Sequence, residues 1–227
     1  KVESTPQMRT IFLGMDQKAD KLRTGNTGDN PFKKKEVRQA LYQAIDIEAI
    51  KKKVMRGLSE PAGIITFPGV TGYTKALDKR LPYDVDAAKK LLADAGYPNG
   101  FDVELRCPND RYVNDEAICT AVVGMLGKIG VNVNLFAQTK SKHFKELKDD
   151  QGDFYMLGWG VPTLDSHYVF HYLYETGASW NKVNFSDADV DAAIRVMEGE
   201  VDLDKRNAAI AKAWKIVRDN IAYLPLH

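Results

Sequence analysis

The chain has 227 residues, enough for one substantial core, and 44% of them are hydrophobic. Its 32 lysines and arginines against 31 acids leave a formal net charge of +1, which removes the electrostatic case for nucleic acid or an anionic membrane surface. No apolar stretch approaches the length of a bilayer span, and Lys1-Val2-Glu3-Ser4 lacks the apolar centre of a signal peptide.

Ile11 to Met15 reads as a strand, and the Gly, Asn and Asp residues between Gly25 and Pro31 read as a turn. The run Lys33-Lys34-Lys35 enters a helix on which Val37, Ala40, Leu41, Ala44 and Ile45 share one stripe. Asp46 can cap a second helix bearing Ile47, Ile50 and Val54, with Gly57 past its end. Residues 58–82 hold three prolines and three glycines without periodicity, so a long irregular loop is expected there. Asp84 then caps a helix with Val85, Ala88, Leu92 and Ala95 inward and Gly96 at its end. Phe101, Val103, Leu105 and Cys107 alternate with charged residues, as in a half-buried strand. A helix near 114–128 and a strand at Val131, Val133 and Leu135 complete a β-α-β unit. Helix returns near His143, strand at 153–159, then a helix begun by a capping box of Ser186 with Asp189. Ile210, Ala213, Trp214, Val217 and Ile221 mark a last long helix, and Tyr223-Leu224-Pro225-Leu226 reads as a strand leaving the domain. The alternation argues for an α/β fold. Cys107 and Cys119 do not form a C-x-x-C, and the burial habit of free cysteine favours two buried thiols over a disulfide.

The chemistry begins with absences. No G-x-x-x-x-G-K-[ST] loop, G-x-G-x-x-G turn, G-x-S-x-G elbow or H-E-x-x-H helix is present, which removes the commonest nucleotide, hydrolase and zinc-protease readings. His167 and His171, at i and i+4, could share a helical face, and Asp165 could add a third ligand for zinc or nickel. A metal-dependent hydrolase built on these three residues is therefore the rival reading; the plainer one makes both histidines the polar edge of an aromatic helix. The stretch Gly158-Trp159-Gly160-Val161-Pro162 follows an apolar run, and its glycines let a ligand or another backbone approach. Tyr168, Phe170, Tyr172, Tyr174 and Trp180 lie close behind, and such rings line either a core or a ligand wall.

Several stretches together resemble the family 5 extracellular solute-binding proteins of bacterial ABC importers. They are Asn30-Pro31-Phe32 leading into Val37-Arg38-Gln39-Ala40-Leu41, Tyr83-Asp84 with Ala87-Ala88-Lys89-Lys90-Leu91-Leu92, Ala95-Gly96-Tyr97, Gly100-Phe101, Lys128-Ile129-Gly130-Val131, Gly158-Trp159 and the segment from Phe185 to Asp191. The resemblance implies one lobe of a two-lobed periplasmic binding protein, the carboxy-terminal one, with a mixed sheet flanked by helices. Residues 1–16 would then cross from the amino-terminal lobe, 17–221 form the ligand-binding lobe, and 222–227 return, with hinges near Met15 and Leu224. It implies a receptor and no enzyme, with no cofactor or resident metal, that closes on a peptide or other small solute and delivers it to a membrane permease. The place implied is the periplasm, or the outer membrane-tethered face of a Gram-positive cell. The ligand contacts expected on these grounds are Phe12, Trp159, Gly160, Val161, Asp165, Tyr168 and Trp180. In peptide receptors of the family an acid three residues beyond the Gly-Trp tryptophan receives the peptide's amino group. Pro162 stands in that place, so Asp165 is the nearest substitute anchor.

Overall fold

A computed structural model describes residue 5 and residues 7–227. Of the expected crossing segment, residues 1–4 and 6 lie outside the described residues. Five strands form one sheet in the order β3-β2-β4-β1-β5. They are β1 (Arg9–Met15), β2 (Asp102–Pro108), β3 (Asn132–Gln138), β4 (Phe154–Gly160) and β5 (Leu224–Pro225). β2 runs parallel to both β3 and β4, while β1 runs antiparallel to β4 and β5, so the sheet is mixed.

Side chains alternate along a strand, and here both faces are covered. Ile11, Leu13 and Met15 of β1 and Phe154 and Met156 of β4 face a largely aliphatic core. Helices α1 (Lys35–Ala44), α3 (Val85–Asp94) and α4 (Asp115–Gly127) close it, with α2 (Ile47–Ala49) beside them. Phe12, Tyr155 and Leu157 face the other way, into an aromatic core. That core is closed by α5 (Lys140–Lys148), α6 (Ser166–Leu173), α7 (Ala188–Gly199) and α8 (Leu203–Asp219). The result is three layers, helices on both faces of a sheet.

The helix starts follow their caps. Asp46 and Asp84 accept from Ala49 and Ala87 amides, as expected. The cap of α7 is Asp187 in place of Ser186: its carboxylate serves the amides of both Asp189 and Val190, while the Ser186 hydroxyl pairs with Thr176 at 3.0 Å. A second correction concerns the cysteines. Cys107 and Cys119 form a disulfide with Cα atoms 6.6 Å apart, because β2 and α4 face each other across the aliphatic core and bring two fully buried Cβ atoms together. At the chain's end the strand expected around Pro225 is present. Leu224–Pro225 lies in the sheet as an edge strand beside β1, where Pro225 needs no amide for a further neighbour.

Candidate functional site

The described ends of the chain meet at one end of the sheet: Arg9 pairs with Gly160, and the Ile11 amide donates to the His227 carbonyl at 2.7 Å. A cleft of about 630 Å³ opens at that end. On one side it is lined by Trp159, Tyr168 and Trp180, on the other by Arg9, Arg111 and Tyr112.

Trp159 follows Tyr155 and Leu157 on the aromatic face of β4 but lies past the main helical cover, so it is only part-buried. Its ring centroid stands 6.1 Å from Tyr168, 5.8 Å from Tyr172 and 5.9 Å from Trp180. Its indole Nε1 is buried and has no partner among the described residues, a state that carries a desolvation penalty. Gly158 is required by close packing: a Cβ there would stand 2.6 Å from Ile11 Cδ1 and 2.8 Å from Tyr112 Cε1. That room is given to Tyr112, whose hydroxyl accepts the Gly158 amide at 2.9 Å.

The facing side is basic. Buried Asp115 accepts the Arg111 and Tyr112 amides, both at 2.9 Å, and so fixes the loop ahead of α4. The guanidinium carbons of Arg9 and Arg111 lie 5.7 and 5.1 Å from the Tyr112 ring centroid. Burial first, then the like charge of Arg111, lowers the Arg9 pKa below its ordinary value. No carboxylate is among the cleft's lining residues within the described part of the chain.

Gly160, Val161, Trp159, Tyr168 and Trp180 all line the cleft, with Val161 itself buried. Phe12 does not. The two-residue period of β1 turns it into the aromatic core, wholly buried, with its ring 5.0 Å from Tyr223. Asp165 also departs from expectation: it caps α6 through the His167 amide at 2.8 Å and pairs with both terminal nitrogens of Arg206, at 2.9 and 3.0 Å. Burial alone would raise its pKa. The Arg206 and His167 hydrogen bonds, with the Arg206 charge, override that and hold it below the ordinary 3.8. A carboxylate so engaged is a poor amine anchor, and it is not the acid that joins the two imidazoles. The group that gathers is His167, His171 and Glu198, so the expected Asp165, His167 and His171 trio is not assembled. Sequence reasoning also missed Arg9, Arg111 and Tyr112, because the loop's neighbours lie far away in the chain.

The family model of bacterial extracellular solute-binding proteins, family 5 (middle region), matches residues 1–181. The chain belongs to that family. Family 5 is a family of solute-binding proteins and not of enzymes. Among its relatives, heme-binding protein A of Haemophilus influenzae is 27% identical over 209 residues, covering 88% of this chain and 38% of that protein. Di/tripeptide-binding protein 1 of Pseudomonas aeruginosa is 28% identical over 207 residues, with the same two shares of 88% and 38%. The solved periplasmic binding protein DppA of Helicobacter pylori, in complex with the peptide STSA, has the same fold. Its TM-score is 0.83 at 23% identity, over 96% of this chain and 41% of that one. The chain thus spans about two fifths of the length of these family members.

Proposed function

We propose that this chain is the carboxy-terminal lobe of an ABC importer's solute receptor, and that its cleft is one wall of the binding site. The observation that carries this is the aromatic-walled cleft at the end of the sheet where both described chain ends meet, since a second lobe joined there would face it. Met15 and Leu224 are wholly buried within the sheet, which supports placing the crossings to that lobe nearer the described chain ends than at those two positions. Ligand-driven closure of the two lobes would then present the solute to a membrane permease. A buried disulfide accords with an oxidising place such as the periplasm or the outer cell face. No described helix is long and apolar enough to cross a membrane.

The solute favoured by this wall is a small molecule with an apolar or aromatic body and an acidic group. Trp159, Tyr168 and Trp180 supply the area, and Arg9 and Arg111 supply positive charge. Pro162 lies exposed at the rim and Asp165 is held by Arg206, so the described residues of this wall offer no ready partner for an ammonium group. Peptides remain candidates through their carboxylate ends.

The test is titration of the full-length receptor, followed by tryptophan emission, with dipeptides to pentapeptides in free, N-acetylated and C-amidated forms. Binding indifferent to acetylation and weakened by amidation is expected. Trp159→Ala should weaken binding by about 30-fold, roughly 2 kcal/mol. Binding abolished by acetylation but indifferent to amidation would reverse the assignment of the two ends, and an unchanged affinity in Trp159→Ala would remove this wall from the site.

A further inference from the structure

α6 has a second functional face beside the tyrosines that pack on Trp159. His167 and His171 lie one turn apart on it with their rings stacked, centroids 5.7 Å apart and planes 25° from parallel. Both side chains reach solvent. From the last turn of α7, Glu198 brings Oε1 to 3.4 Å from His167 Nε2. The ligand atoms of His167, His171 and Glu198 all lie within 4.8 Å of one another. Behind them Glu175 Oε2 stands 2.9 Å from His171 Nδ1, close but not aligned as a hydrogen bond, so a small side-chain rotation would be needed to make one. A carboxylate against the ring of a ligating histidine is a recurrent means of fixing that ring's orientation.

We propose that His167, His171 and Glu198 bind one divalent first-row transition cation, Zn²⁺ being the probe of choice, and that the ion clamps α6 to α7. Two imidazoles and one carboxylate form a donor set that suits Zn²⁺, Ni²⁺ or Cu²⁺ and is a poor match for Ca²⁺ or Mg²⁺, which prefer oxygen alone. Around a tetrahedral Zn²⁺ with bonds near 2.0–2.1 Å the donors stand about 3.3 Å apart, so side-chain rotations suffice to close the present spacing. Water would take the remaining position. Asp165 is excluded from the set by its paired contact with Arg206, which fixes the composition of the site. Because α6 also carries Tyr168 and Tyr172, the ion would steady the helix that forms the cleft's aromatic wall. The assignment stands independently of which solute the cleft takes.

Chelator-treated, tag-free full-length protein is titrated with Zn²⁺ by calorimetry, and its thermal midpoint is measured with and without the ion. One saturable site per chain and a raised midpoint are expected, with no such response to Ca²⁺. His167→Gln and His171→Gln should each weaken Zn²⁺ binding by about 100-fold and remove the midpoint shift, while Glu175→Gln, acting through His171, should weaken it by about 10-fold. All of these side chains reach solvent, and an unchanged metal-free midpoint in each variant checks that the fold is retained. No saturable site in the parent protein, or Zn²⁺ binding that survives in the His167→Gln/His171→Gln double variant, overturns the proposal.

Discussion

α6 and its C-cap present two sets of aromatic rings with different fates. Phe170 and Tyr174 turn inward, with centroids 4.5 and 5.9 Å from Trp214, and all three are buried. Tyr168 and Tyr172 turn toward Trp159, which stays part-exposed. The two tryptophans differ in their polar atoms: Trp214 Nε1 donates to Ser166 Oγ at 3.3 Å, whereas Trp159 Nε1 has no described partner. Unpartnered buried hydroxyls also occur in the core, at Tyr155 and Tyr42, so the hydrogen-bond account does not by itself tell wall from core. Spacing along α6 is alike on the two sides; what separates them is cover, complete over Phe170 and Trp214 and partial over Tyr168, Tyr172 and Trp159.

The contrast breaks first on stability. Phe170→Ala should cost about 3–5 kcal/mol in guanidinium unfolding, since it empties a closed core. Trp159→Ala should cost less than about 2 kcal/mol in the same assay, and a loss equal to that of Phe170→Ala would make Trp159 structural too. The next effect lies on the opposite face of the sheet. Removing the Cys107–Cys119 bridge by paired Cys→Ser substitution should lower stability by about 3 kcal/mol in urea, for a link spanning 12 residues. Solute affinity of the full-length receptor should stay within a few-fold, because the bridge lies in the aliphatic core away from Trp159.

The smallest effect concerns Asp165. Its folded pKa is depressed, so the stability it contributes is present above the ordinary 3.8 and is lost as pH falls through the lower folded value. Asp165→Asn should therefore flatten the acid limb of a pH-stability curve below about pH 4, and cost no more than about 1 kcal/mol at neutral pH given its solvent screening. Peptide affinity should not change. A loss confined to free-amine peptides would restore Asp165 as the anchor.

Much of this arrangement is legible in the sequence. The stripes through Val37 to Ile45 and Ile210 to Val217 and the alternation at 101–107 led directly to α1, α8 and β2. The Gly158-Trp159-Gly160 stretch pointed to the cleft wall. Phe12 was misplaced because both faces of β1 are buried, which erases the polar half of the alternation that would tell inside from out. The disulfide joins a strand to the next helix, and spacing along the chain carries no information on whether two buried Cβ atoms converge. Arg111 and Tyr112 were missed for a related reason: the tyrosine's partner, Gly158, is 46 residues away.

The sheet itself is not one continuous ladder. β1 and β4 pair over seven positions and β2 and β3 over seven, but β2 meets β4 in register only at Arg106 with Tyr155. Next to that one registered pair, the Tyr112 hydroxyl accepts the Gly158 amide and ties the loop after β2 to the end of β4. Arg111 and Tyr112 ride on the pair of β2 and β3; Trp159 rides on the pair of β4 and β1. The two sides of the cleft are thus carried by different strand pairs, and one shared aliphatic core beneath them fixes their spacing.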